Sequence, residues 1–181
     1  MSEQLDVLKL VAARLDGARI DYMVTGSIAA GLYGQPRMTR DIDIVAVLYP
    51  PHAARLAELF DPEFVLDVDV IRDAVAGRRT FSVVHRQALH KIDVIVRSDD
   101  EYEIEKFGRR RTIEIDGQPI SVISPEDLVL SKLVWGKDSR SELQFRDVRS
   151  IIAAQSTLDW AYMRRWALRL TVVALLAEFG S

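Results

Sequence analysis

One stretch of the chain, residues 22–47, restricts the fold more than any other. Asp21-Tyr22-Met23-Val24-Thr25 is a short, mostly apolar strand that stops at Gly26-Ser27. Ser27 begins a helix of small residues that Gly34 and Pro36 close, as residues that break helices do. From Thr39 the period changes: Asp41-Ile42-Asp43-Ile44 alternates polar with apolar, which predicts a strand buried on one face. Strand, turn, helix and strand in immediate succession imply a sheet with helices packed on it.

The rest of the chain extends that pattern. Leu5, Leu8, Val11, Ala12 and Leu15 recur at helical spacing, and Asp16-Gly17 ends the run. Pro50-Pro51 opens a helix to about Phe60, and strands are predicted over residues 64–68, 80–84 and 91–96. Residues 111–116 and 118–123 read as a hairpin turning at Asp116-Gly117, a pair suited to positive φ. Ser124-Pro125-Glu126-Asp127 is a strong helix start, with a capping hydroxyl, proline in the first turn and acids facing the dipole. Three or four helical segments follow. The expected architecture is an α/β (α+β) domain over residues 1–123 with a mixed β-sheet flanked by helices, then a helical C-terminal extension over 124–181.

At 181 residues and 49% apolar content the chain can bury a sizeable core. Its 24 Lys and Arg against 27 Asp and Glu leave a formal charge of −3, so no global field draws it to nucleic acid. The absence of cysteine excludes disulfides and zinc–thiolate sites and suits a reducing cytoplasm. The charged, helical start does not read as a signal peptide, and the apolar tail at 170–177 is too short to span a bilayer. The expectation is a cytoplasmic protein without a membrane segment, in which the C-terminal helices could form a homodimer.

Five residues stand out for chemistry. Gly26 and Ser27 sit where a strand ends and a helix begins, so free backbone N–H groups converge there and suit a triphosphate. The bland reading is an ordinary helix cap. Asp41 and Asp43, two apart on a strand, project from one face, with Ile42 and Ile44 on the other. Such a pair suits a magnesium (or manganese) ion that also takes phosphate oxygens; the alternative is a solvated strand end. Asp67-Val68-Asp69 has the same spacing without a Gly-Ser turn upstream, and is read as an exposed face or loop. Asp93 interrupts a β-branched run, Ile92 to Val96, where an unpaired carboxylate would be costly. If its strand adjoins that of Asp41 and Asp43, the three acids converge and Asp93 can act as general base or further ligand. Otherwise it pairs with Lys91 or an arginine.

Val24-Thr25-Gly26-Ser27, then Asp41-Ile42-Asp43-Ile44, then Ile92-Asp93-Val94 resembles the signature of the polymerase-β-like nucleotidyltransferase superfamily. Tyr33-Gly34 with Arg37, Thr39, Asp41 and Asp43 resembles its bacterial members. More loosely, Ser124 to Leu133 followed by Arg146-Asp147 resembles AbiEii-type toxins. The resemblance implies a metal-dependent transferase that moves a nucleoside monophosphate from a triphosphate (NTP) to an acceptor hydroxyl. It also implies that Lys132 and Asp147 complete the site. Lys132 has a structural reading too, in which its stem covers apolar surface and its ammonium reaches water.

Arg37 and Arg40 flank the acids and either hold triphosphate oxygens or balance the charge. His52, His85 and His90 lack metal-ligand spacing. Trp135, Trp160 and Trp166 are read as core or interface, and Lys106 to Arg111 as a solvated turn or a phosphate-backbone contact. The acceptor stays open among a tRNA end, a protein hydroxyl, an aminoglycoside-like small molecule and another nucleotide. Two rivals remain: an antitoxin-like partner- or nucleotide-binding module of the same fold without catalysis, and an RNA-binding regulator.

Overall fold

The structure, a computed structural model, describes residues 3–180. Helix α1 (Glu3–Gly17) buries Val7, Leu8, Val11, Ala12 and Leu15, one stripe of a helical surface. Strand β1 (Tyr22–Thr25) is buried throughout and runs directly into α2 (Gly26–Tyr33). Then come β2 (Asp41–Ala46), α3 (His52–Phe60), β3 (Phe64–Val65), α4 (Val68–Ala76), β4 (Thr80–His85) and β5 (Lys91–Val96). Helix α5 (Glu101–Gly108) precedes the hairpin of β6 (Arg111–Ile115) and β7 (Gln118–Val122). The last stretch is helical: α6 (Pro125–Gly136), α7 (Glu142–Ala154), α8 (Trp160–Arg169) and α9 (Val173–Ala177).

The strands form one sheet in the order β3-β4-β5-β2-β1-β7-β6. β2 pairs parallel with β5 and β1 parallel with β7, while the other neighbours are antiparallel. The sheet is therefore mixed, as the sequence predicts. The β6–β7 turn holds Asp116 at φ 50° and Gly117 at φ 80°, the paired positive φ that fits a hairpin to the strand twist. Among the described residues, no helix is long and apolar enough to cross a membrane.

Two segments differ from expectation. Strand β3 ends at Val65, because Asp67 accepts hydrogen bonds from the Asp69 and Val70 amides and starts α4. The Asp67/Asp69 pair is thus a helix cap and first turn, with Asp69 tied to Arg72 on the surface. Replacing both with asparagine, which preserves capping, is expected to change triphosphate affinity less than about twofold. Calorimetric titration checks this, and a large loss would show that this pair binds the ligand.

Helix α5, unread in the sequence, is started by Asp100, which accepts from the Glu103 amide. The basic cluster that follows is spent internally: Arg110 pairs with Asp21, Arg109 with Asp127, and Arg111 with Glu126. Glu126 and Asp127, both buried at the start of α6, also engage the Asp159 amide and the Tyr162 hydroxyl. Charged pairs here fasten the C-terminal helices to the sheet. Helix α6 is buried nearly all round, the pattern of a core helix rather than a surface one.

Candidate active site

Register brings the carboxylates together. β2 and β5 run parallel with Asp43 opposite Asp93 and Asp41 opposite Lys91. Residues paired across a sheet share a face, and so do residues two apart on one strand. Ile42, Ile44, Ile92 and Val94 fill the other face and are buried. Alternation thus fixes which side carries chemistry: a slip of one residue would drive the acids into the core.

On the other flank of β2, Thr25 pairs with Asp43, so the chain turns into α2 beside that carboxylate. Gly26 sits at φ +65°, in the left-handed region. A Cβ there would run into Asp43 Oδ2 and lie 2.7 Å from Asp43 Cγ. Glycine is thus required twice, by backbone conformation and by the acid beside it. Thr25 makes no side-chain capping bond, which leaves first-turn amides of α2 uncapped.

A second chain of contacts approaches from the C-terminal helices. Lys132 on α6 is 1% exposed and donates to Asp147 Oδ2 on α7 at 2.8 Å and to Gln144 Oε1 at 3.1 Å. Its ammonium therefore does not reach water, and the reading in which it snorkels is not the one observed. Asp147, 5% exposed, also faces Arg37 Nε at 3.3 Å, and Arg37 donates to the Ser27 hydroxyl. The order Lys132–Asp147–Arg37–Ser27 links α6 and α7 to the Gly26-Ser27 turn. Arg40 is exposed and, among the described residues, makes no ion pair.

Burial pushes the Asp43 carboxyl above its ordinary value, and Asp93 and Asp41 push further, with Lys132 and Lys91 pulling it down. Burial likewise lowers the Lys132 ammonium, against the hydrogen bond and charge of Asp147. Asp93 accepts from Ser82 at 2.5 Å and from Lys91 at 2.8 Å, and Lys91 stands 3.8 Å from Asp41. Both readings of Asp93 hold in part: it pairs with Lys91, yet lies on an interior strand across from Asp43. Lys91, Ser82 and Gln144 are contacts that sequence reasoning did not place in the site.

Among the described residues, no three of His, Asp and Glu are gathered as a metal-holding group, and Lys91 bridges Asp41 and Asp93 instead. The donor chemistry still fits a hard divalent cation. Asp41, Asp43 and Asp93 offer carboxylate oxygens from one sheet face, and the Asp43 carboxyl, raised first by burial and then by Asp93 and Asp41, is a charge that a cation would offset. A cavity of about 530 Å³ opens beside Asp43 and Asp93, walled by α5 and α6.

Lys132→Met tests the buried pair. The change keeps side-chain length but leaves Asp147 only Arg37, so stability is expected to fall by roughly 3 kcal/mol, the low end for a broken buried pair. Turnover measured well below the melting point is expected to fall about 10²-fold, as when one charge partner of a transition state is removed. Lost stability with full turnover would make Lys132 purely structural.

No protein-family model matches the chain, and no curated protein matches it in sequence. Solved structures do. An antigenic nucleotidyltransferase-like protein from Paracoccidioides brasiliensis superposes with TM-score 0.68 at 21% identity, over 96% of this chain and 86% of that one. A lincosamide antibiotic adenylyltransferase, LnuA, bound to lincomycin, gives TM-score 0.55 at 11% identity, over 86% of this chain and 99% of that one. ANT(2″)-Ia in complex with adenylyl-2″-tobramycin gives 0.54 at 15% identity, over 94% and 98%. What these proteins share with this chain is the fold.

Proposed function

From the polymerase-β-like nucleotidyltransferase fold that this chain adopts, we propose that it transfers a nucleoside monophosphate from a triphosphate to an acceptor hydroxyl. The observation that carries the reading is the pairing of Asp43 with Asp93 beside a glycine that the Asp43 carboxylate itself makes obligatory. A fold needs neither two facing acids on a sheet interior nor a left-handed turn packed against one of them. A site for a polyphosphate and its cation does.

In this account the uncapped amides at Gly26-Ser27 bind β- and γ-phosphate oxygens. Arg37 is the cation at that turn, and Lys132 is joined to it through Asp147. This arrangement also supports carrying over the helix lysine and later aspartate of AbiEii-type proteins to Lys132 and Asp147. Asp41 and Asp43, with Asp93, would hold magnesium or manganese, which when bound would neutralise charge developing on the α-phosphate. Asp93 takes the acceptor hydroxyl proton. The acceptor oxygen then forms a bond to the α-phosphorus as the bond from that phosphorus to the bridging oxygen breaks, and pyrophosphate leaves. Positioning and charge neutralisation supply most of what such a transfer requires.

The neighbours bound to lincomycin and to adenylyl-tobramycin make small hydroxylated molecules the first acceptors to try. The test is incubation with ATP, CTP, GTP or UTP labelled at the α- or the γ-phosphate. The expected result is acceptor-dependent product carrying α-label, with γ-label in pyrophosphate. Label released as orthophosphate from the γ-position alone would make the protein a phosphohydrolase and contradict the proposal.

The rival reading, a binding module without turnover, draws on Lys91 standing between Asp41 and Asp93. It predicts triphosphate binding with no α-label transferred to any acceptor.

A further inference from the structure

We propose that the cavity beside Asp93 is the acceptor site and that it takes a small amino-polyol, a proposal that rests on the nucleotidyl-transfer reading. The cavity runs along one sheet face from Thr25 and Asp43, beside the phosphate turn, past Asp93 to α5. β1 and the Gly26-Ser27 turn lie on one flank of β2, and β5 and β4 lie on the other. The groups assigned to the phosphates, Ser27 and Arg37, do not line the cavity, and neither does Lys132. Asp93, assigned to the acceptor proton, does, and the wall continues through Thr80, Ser98, Asp100 and Glu103. A hydroxyl bound at that end of the cavity lies beside Asp93.

Size and chemistry set the class of molecule. About 530 Å³ falls within the roughly 300–1,000 Å³ typical of small-ligand sites. A nucleic-acid acceptor needs free cations along its backbone, and the cavity has none to give. Lys106 is held by Glu103, and Arg78 by Asp99 and the Leu48 and Arg97 carbonyls.

Acids outnumber bases in the wall: Asp43, Asp93, Asp100 and Glu103 against Arg78 and Lys106. Asp100 accepts from Ser98 and the Glu103 amide, and a carboxylate retains further acceptor capacity. An ammonium on the ligand finds that capacity, and hydroxyls find Thr80 and Ser131. Trp135, read from the sequence as core or interface, is 46% exposed and lines the same cavity from α6, offering a flat apolar face to a sugar ring.

The test uses two sugars of one skeleton, the β-1,4-linked glucosamine disaccharide and cellobiose, titrated calorimetrically without nucleotide. The expected result is about tenfold tighter binding of the amino sugar. Asp100→Asn, in which asparagine still caps α5 and the Glu103–Lys106 pair is left intact, is expected to remove most of the contrast at a nearly unchanged melting temperature. Trp135→Ala is expected to weaken both sugars alike. Equal binding of the two sugars, or no binding of either at low millimolar concentration, overturns the acceptor assignment. ATP with magnesium, titrated in parallel, separates the two claims. If ATP binds while the sugar contrast fails, only the acceptor assignment falls. If ATP fails to bind, the nucleotidyl reading falls and takes the acceptor assignment with it.

Discussion

Asp43→Asn is expected to reduce nucleotidyl transfer by at least about 10³-fold while leaving the protein as stable as before, or more so, in metal-free buffer. The two halves of that expectation share one cause. Burial, Asp93 and Asp41 all push the Asp43 carboxyl upward, so the folded state holds this negative charge at a disadvantage. Asparagine keeps the shape and removes the charge, which relieves the repulsion and removes what would attract a cation. Asp93→Asn is expected to match it in turnover, with little change in stability, since the Lys91 it releases is already half in solvent. A melting curve and an α-label transfer assay on the same preparation check both. Asp43→Asn with near-normal transfer, or with a collapsed fold, would mean that the acid serves structure rather than chemistry.

Gly26→Ala is expected to be nearly as damaging to turnover, by a different route. The left-handed backbone at this position costs a residue with a Cβ about 1–2 kcal/mol. The new methyl would also occupy the place of the Asp43 carboxylate, so the acid must move or the turn must open. Either way the carboxylate and the α2 amides no longer share one spot. Gly117→Ala is the matched control, because that glycine also has positive φ, at +80°, but its Cβ would meet nothing within 4 Å. It is expected to lose stability of the same order with full transfer. Similar turnover losses in both variants would attribute the effect to backbone strain alone.

How much of this could be read from residues follows from how local each feature is. The Asp116-Gly117 turn, the Ser124 cap and the alternation of Asp41 to Ile44 each depend on neighbours within a few positions, and all form as the sequence indicates. Helix α4 is masked because Phe64 to Val68 reads as a strand that runs into its first turn, although Ile71, Ala74 and Val75 carry a helical stripe. Helix α5 carries a local signal, since Asp100 followed three residues later by Glu103 is a capping pattern.

The candidate site divides the same way. The identities of Asp41, Asp43 and Asp93 stand out in the sequence, whereas the register that sets Asp43 against Asp93 depends on which strands become neighbours. The contact of Arg37 with Asp147 spans 110 residues, and no local pattern encodes it. The sequence offers Lys91 only as a partner for Asp93, and its reach to Asp41 likewise depends on the fold.

The most direct test of the central claim is the melting temperature with ATP in magnesium and in EDTA, for wild type and Asp43→Asn. At a hundredfold excess over Kd, native-state binding contributes about 2.7 kcal/mol, or roughly 5–10 °C for a chain of this size. The predicted result is that shift in magnesium alone, absent in EDTA and absent in Asp43→Asn under both conditions. Equal shifts with and without magnesium, or an undiminished shift in Asp43→Asn, would contradict a metal–triphosphate site at these carboxylates.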